Sequence, residues 1–173
     1  MREEWDAYDE NENKLGFTLF RNEKVPDGAF HLVVRAYIFT KDKHVLVTQR
    51  APEKNYDLKW ENTGGSVIKG ETAEEGIIRE IYEETGVVIN EHNIRLIYTE
   101  IKHPAIYKCF VAVTHEAQKV TLQPGETIDY RWMPYKDFQE FIKTNEFVRG
   151  GRKEFFAKKK DIETAVDELI AEI

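Results

Sequence analysis

The stretch from residue 72 to 86 carries its own start and stop signals for a helix. Thr72 stands where an N-cap hydroxyl is wanted, and Glu75 follows three positions later, the spacing of a capping box. Gly86 stands where the helix must end, because a residue without Cβ takes the left-handed conformation of a C-terminal cap at little cost. At about 100° per residue, Ile77, Ile78, Ile81 and Tyr82 fall on one arc of this helix and Glu80, Glu83 and Glu84 on another. One face packs and the other presents carboxylates. Glutamates at i, i+3 and i+4 repel by a few tenths of a kcal/mol per pair, only partly offset by Arg79 four positions before Glu83. A bound cation reverses that sign. Carboxylate-only ligation suits a hard divalent ion, Mg²⁺ with Mn²⁺ as a substitute. No Cys/His cluster has the ligand spacing of zinc.

Around this helix the pattern is that of an α/β unit. Residues 15–22, 30–40 and 44–50 read as strands from their apolar, β-branched and aromatic content, with Lys41-Asp42-Lys43 as the turn of a hairpin. Residues 59–68 read as extended chain interrupted by Gly64-Gly65; 94–101, 105–114 and 127–133 follow as further strands, and 135–144 as a short amphipathic helix. Ile162, Ala165, Val166, Leu169 and Ile170 predict a C-terminal helix with Asp161 as its N-cap. The segment Trp5–Asn11 mixes aromatics with acids and shows no period.

The 173 residues, 41% hydrophobic and 33% charged, fit one domain over 1–173, with 1–14 as an N-terminal extension and 153–173 as a C-terminal helical extension. A net charge of -7 argues against a broad nucleic-acid surface or attachment to an anionic membrane, and it requires a cation wherever a phosphate is to bind. Cys109 is the single cysteine, in the apolar run Cys-Phe-Val-Ala-Val, which marks it as an inert core residue. No stretch approaches the roughly 20 apolar residues of a membrane span, and the charged start lacks the apolar region of a secretory signal, so the cytoplasm is the expected location.

From Gly65 the chain runs Gly65-Ser-Val-Ile-Lys-Gly-Glu71, then seven residues, then Arg79-Glu80-Ile81-Tyr82-Glu83-Glu84-Thr85-Gly86-Val87. This resembles the signature of the Nudix hydrolase family, with every fixed position present. The resemblance implies an α/β/α sandwich with a mixed sheet and a catalytic loop-helix-loop. It implies that Glu80, Glu83 and Glu84 hold one or more Mg²⁺ ions, that Arg79 orients the carboxylates, and that Glu71 supports the loop. The implied reaction is attack of water on one phosphorus of a nucleoside diphosphate linked to a group X, the metal lowering the water's pKa. The general base varies within the family; Glu83 is the candidate within the motif and Glu126, in the turn Gln123-Pro124-Gly125-Glu126, the one outside it.

Further candidates are weaker. Gly64 and Gly65 permit a close backbone approach, and Arg50 and Arg35 sit on strands from which a guanidinium can reach a phosphate. His31 reads as a hydrogen-bonded structural residue before it reads as a substrate contact. The basic runs Arg152-Lys153 and Lys158-Lys159-Lys160 read as a solvated surface before a phosphate contact, and Tyr56, Trp60 and Tyr107 as core before base stacking. The C-terminal helix offers an apolar face to a homodimer. Two rival readings keep the same scaffold. Segments 31–39 and 45–50 resemble isopentenyl-diphosphate isomerase, but that enzyme needs a cysteine before the first motif glycine and a histidine after it, where this chain has Gly64 and Ser66. A non-catalytic Nudix nucleotide sensor is the other, although no metal ligand of the signature is missing here.

Overall fold

The strand β3 (His31–Thr40) organises the sheet. The computed structural model describes residues 2–52, 55 and 58–173. β3 pairs in parallel with β8 (Ala105–Thr114), residue for residue from His31 opposite Ala105 to Thr40 opposite Thr114. A parallel strand is covered on both faces and therefore reads as a nearly unbroken apolar run, as these two do. On its other side β3 has two successive neighbours. Ile38 and Phe39 pair with Leu46 and Val45 of β4 (His44–Arg50), across the anticipated turn. Val33, Val34 and Arg35 pair with β6 (Gly64–Ser66).

β4 therefore leaves β3 partway along its length and is flanked instead by β5 (Trp60–Glu61) and β9 (Thr127–Pro134). The sheet forks, and β6 lies in the fork. β7 (Ile94–Lys102) pairs with β8 at the far side.

Alternation along β3 sends its side chains to two cores. Leu32, Val34, Ala36 and Ile38 meet Ile77 and Ile81 of α1 (Ala73–Thr85), with Ile106 and Phe110 from β8. Tyr37 and Phe39, with Cys109 and Val111, face the opposite way and are covered by α2 (Tyr135–Phe141) and α3 (Arg149–Glu172). The result is the expected α/β/α sandwich with a mixed sheet. Cys109 is buried among apolar neighbours, and burial pushes its thiol up to about 12.

Two elements depart from the sequence reading. The last helix starts at Arg149, well before Asp161, which is an exposed interior position of α3 rather than its cap. The Gly150-Gly151 pair and the lysine run conceal the period there. Phe155, fully buried against Tyr37, Tyr135 and Phe138, pulls that stretch into the helix by tertiary packing. At the other end, the segment without a period forms β1 (Glu4–Tyr8), paired with β2 (Lys14–Phe20) as a separate hairpin with its own small core of Trp5, Ala7, Leu19, Val25 and Ala29. Paired backbone hydrogen bonds of 2.9 and 2.8 Å between Tyr8 and Phe30 tie the hairpin to the entry of β3. The Lys69 N–H, donating to the Glu4 carbonyl at 2.8 Å, ties it to the loop before α1. Among the described residues no helix is long and apolar enough to cross a membrane.

Because Phe155 sits in a closed aromatic cluster, Phe155→Ala should cost about 3–5 kcal/mol of unfolding free energy. Its neighbour Phe156, 45% exposed, should cost less than about 1 kcal/mol on the same change. Urea denaturation of the two variants measures both.

Candidate active site

The helix α1 begins and ends as its caps require. The Thr72 hydroxyl accepts from the Glu75 N–H at 3.1 Å while the Glu75 carboxylate accepts from the Thr72 N–H at 2.8 Å. Gly86 adopts φ 70° and returns its N–H to the Tyr82 carbonyl at 2.8 Å.

One guanidinium gathers most of the motif. Arg79 Nε and Nη2 donate to the two oxygens of Glu71 at 2.7 and 3.1 Å, folding the preceding loop onto the helix. Nη2 also donates to the Ser66 carbonyl at 3.0 Å, which fixes β6. Nη1 is shared by Glu80 at 2.9 Å and Glu83 at 3.1 Å, so those carboxylates lie close together. Burial on its own would lower the pKa of Arg79; the bonds to Glu71 and Glu80 more than reverse this and hold it above the usual arginine range. Burial likewise pushes the Glu80 carboxyl up, Arg79 opposes that, and Glu83 adds to it.

Steric facts explain the glycine pair. A Cβ on Gly65 would stand 2.3 Å from the Glu80 carboxylate, which therefore rests directly on the Gly65 backbone. A Cβ on Gly64 would stand 2.3 Å from the Val34 carbonyl oxygen and 2.9 Å from Arg35 Cα. A side chain at position 64 would require this backbone to shift.

Glu84 is buried on α1, and its carbonyl accepts from the Gln123 N–H at 3.3 Å and the Thr127 hydroxyl at 3.5 Å. The Glu126 loop is thereby docked on the end of the helix, with the Glu126 carbonyl accepting from the Ala51 N–H at 3.0 Å. Sequence reasoning missed Glu3. Its carboxylate, held by Trp5 Nε1 at 2.6 Å and Arg21 at 2.8 Å, lies near enough to Glu80 to help raise that residue's pKa. No periodicity in the N-terminal segment signals this, because the hairpin's position depends on contacts with distant strands.

Among the described residues, no three carboxylate, imidazole or thiol groups converge as a metal cage; Glu71, Glu80 and Glu83 are turned toward Arg79. The donor chemistry nevertheless fits a hard divalent ion. Three carboxylates share one guanidinium, which leaves two negative charges uncompensated, and the side chain of Glu83 is 47% exposed and free to turn.

Gly64 and Gly65 also border a cleft of about 850 Å³ on the α3 side of the sheet. Arg35 and Arg50 line it, each already paired. Arg35 binds Glu154 and lies 5.1 Å from the centre of the Tyr107 ring. Arg50 donates to Glu61 at 2.6 Å and to the Asn55 carbonyl at 2.7 Å. Tyr107 faces the cleft, whereas Trp60 is buried in the core with Arg131 4.2 Å over its ring. Tyr56 lies outside the described residues. Arg152 bonds the Lys143 and Thr144 carbonyls and Lys159 bonds Gln139, but Lys153 and Lys158 line the cleft. His31 is not at the site: it is buried and stacks on Trp5 with ring centres 4.0 Å apart.

The NUDIX domain model matches residues 29–156. The chain belongs to the Nudix family. An uncharacterized Nudix hydrolase of Listeria monocytogenes is 30% identical over 149 residues, covering 84% of this chain and 88% of that protein. The isopentenyl-diphosphate Delta-isomerase of Haloarcula marismortui is 25% identical over 151 residues, covering 80% of each. A crystal structure from Deinococcus radiodurans shares the fold, with a TM-score of 0.65 at 19% identity over 84% of this chain and 92% of that one. The hairpin β1–β2 precedes the matched segment, yet it supplies Glu3 to the neighbourhood of Glu80.

Two measurements follow from this geometry. Gly64→Ala drives a methyl into the Val34 and Arg35 backbone and should cost about 1–3 kcal/mol in urea unfolding; Gly65→Ala meets only the movable end of Glu80 and should cost at least ~1 kcal/mol less. For His31, burial holds the pKa down to about 4 from 6.5, so the neutral ring contributes stability above pH 6.5 that is lost as pH falls toward 4. The loss should be on the order of 2 kcal/mol across that window and absent in His31→Phe, measured by unfolding at successive pH values.

Proposed function

We propose that this chain is a Mg²⁺-dependent pyrophosphohydrolase, with Mn²⁺ as a substitute ion, that cleaves the diphosphate linkage of a nucleoside diphosphate-X or a related small diphosphate. The observation that carries the reading is the electrostatic surplus beside Gly65: three carboxylates on one guanidinium, at the edge of a cleft lined by Lys102, Lys153 and Lys158. Glu80, Glu83 and Glu84 would hold the ion. A bound divalent ion supplies Lewis-acid neutralisation of the diphosphate and acidifies the attacking water.

The chain's own residues account for the remainder. Arg79 holds Glu80 and Glu83 near each other, and Glu71 keeps Arg79 in place. The Gly65 backbone, without a side chain, lets a phosphate approach the carboxylates closely. Glu83, at the exposed rim, is our first choice to take the proton of the attacking water; Glu126, whose loop is anchored to the end of α1, is the second. The isomerase reading is disfavoured because Gly64 and Ser66 stand where that chemistry requires a cysteine and a histidine.

The test is a panel of small diphosphates with Mg²⁺, assayed for release of phosphomonoester. Glu83→Gln and Glu84→Gln should each lower turnover by at least ~100-fold, the scale of losing a metal ligand or general base. Wild-type turnover in both would remove the site assignment. No release from any diphosphate would leave a nucleotide sensor as the better reading.

A further inference from the structure

The loop that presents Glu71 to Arg79 is held from outside the segment matched by the family model. Ile68 to Glu71 form a β-turn: the Glu71 N–H donates to the Ile68 carbonyl at 3.1 Å, and Gly70, at φ 91°, takes the third position, where glycine is favoured. These bonds leave the amides of Lys69 and Gly70 at the tip of the turn unused. The hairpin β1–β2, which precedes residues 29–156, takes both. The Lys69 N–H donates to the Glu4 carbonyl at 2.8 Å, and the Gly70 N–H donates to Asp6 Oδ2 at 3.0 Å. The Lys69 ammonium donates to the Thr18 hydroxyl at 2.7 Å. Asp6 and Thr18 stand opposite each other in the hairpin register, so one cross-strand pair grips two consecutive residues of the loop. Lys14 donates to the same Asp6 oxygen at 2.8 Å and fixes its direction.

The grip falls where packing supplies none, because a Cβ on Gly70 would meet nothing within 4 Å. Glu71 follows directly, and its two oxygens hold Nε and Nη2 of Arg79. That bidentate contact decides where the remaining donor, Nη1, meets Glu80 and Glu83. If those two carboxylates turn to a cation, Nη1 gives up its acceptors, and Glu71 with the Ser66 carbonyl is what still orients Arg79. A turn left loose at its tip would have to be ordered as the ion binds, and that ordering weakens binding.

Resting on the hydrolase reading above, we propose that the β1–β2 hairpin is part of the active site and that Asp6 is its positioning residue. By holding the Gly70 N–H, Asp6 keeps Glu71 and Arg79 in the arrangement that favours a divalent ion. The affinity for that ion then depends on a segment that precedes the matched domain.

The experiment measures Mn²⁺ affinity by calorimetry on the full chain, and protection of the Gly70 amide by hydrogen exchange of the metal-free protein. Asp6→Ala should weaken Mn²⁺ binding about tenfold, the scale of one hydrogen bond to a charged acceptor, and speed Gly70 exchange by at least as much. Asp6→Asn loses the same charge but retains an acceptor for the Gly70 N–H, so both values should return to within about threefold of the wild type. That contrast separates positioning from a mere loss of negative charge near the site. Exchange of the β1 and β2 amides reports whether the hairpin itself stays folded. Should Asp6→Ala open it, Thr18→Val, which removes only the acceptor of the Lys69 ammonium, takes its place and should weaken Mn²⁺ binding by about threefold; wild-type affinity there overturns the proposal. With the hairpin folded, unchanged Gly70 exchange or unchanged Mn²⁺ affinity in Asp6→Ala, or an Asp6→Asn variant no better than Asp6→Ala, overturns it as well. A wild type that binds no Mn²⁺ removes the metal site and the proposal together. A wild type that binds Mn²⁺ but cleaves no diphosphate removes the hydrolase reading alone, and the same comparison of variants still decides the role of Asp6.

Discussion

The Arg79 guanidinium holds the site together. A planar group with fixed donor directions can satisfy several acceptors at once only if all of them are brought to it. Here these are both oxygens of Glu71, one each of Glu80 and Glu83, and the carbonyl of Ser66. One side chain thereby fixes a loop, a helix face and a strand relative to one another. Its single positive charge cannot balance three carboxylates, so the geometry that orders the loop also leaves it short of cations. On the proposed reading, structural order and affinity for a divalent ion have the same origin.

The fork in the sheet lies beside that cluster. α1 packs on one face of β3 and the cleft lies on the other. Between them lies the place where β4 has left β3 and β6 has taken its position. Side chains there would collide with what is already packed, Gly64 against the β3 backbone and Gly65 against Glu80. Strand pairing, an event on the scale of the whole fold, thus sets the position of two glycines, and these in turn set how closely Glu80 and the β3 backbone pack.

Much of this was legible in the residues themselves. Thr72, Glu75 and Gly86 delimit α1 through interactions inside a single turn, and local signals of that kind need no tertiary context. The run His31 to Thr40 reads as a buried strand for the same reason. What could not be read depends on partners far away in the chain. The start of α3 is set by Phe155 meeting Tyr37, not by a cap or a period. Glu3 comes within electrostatic range of Glu80 because Tyr8 pairs with Phe30 and Lys69 binds Glu4. The basic residues of α3 looked like solvated surface, because nothing local says that one side of that helix closes a cleft over β7 and β8. The pairing of Arg35 and Arg50 with Glu154 and Glu61 is equally invisible along the chain.

The parallel pairing of β3 with β8 also governs how the molecule must assemble. Both strands lie at the centre of the sheet, yet β4, β5, β6, α1 and β7 separate them in the chain, so the central contact closes a long loop before it is rewarded. The aromatic face of β3, Tyr37 and Phe39, then stays open until α2 and α3 dock from further along still. Local contacts can mature α1 early, while the surface on the opposite side remains adhesive the longest. Folding of this chain is therefore expected to be slow for its size, and its dangerous intermediate is one in which the α1 half is formed and the α3 face is bare.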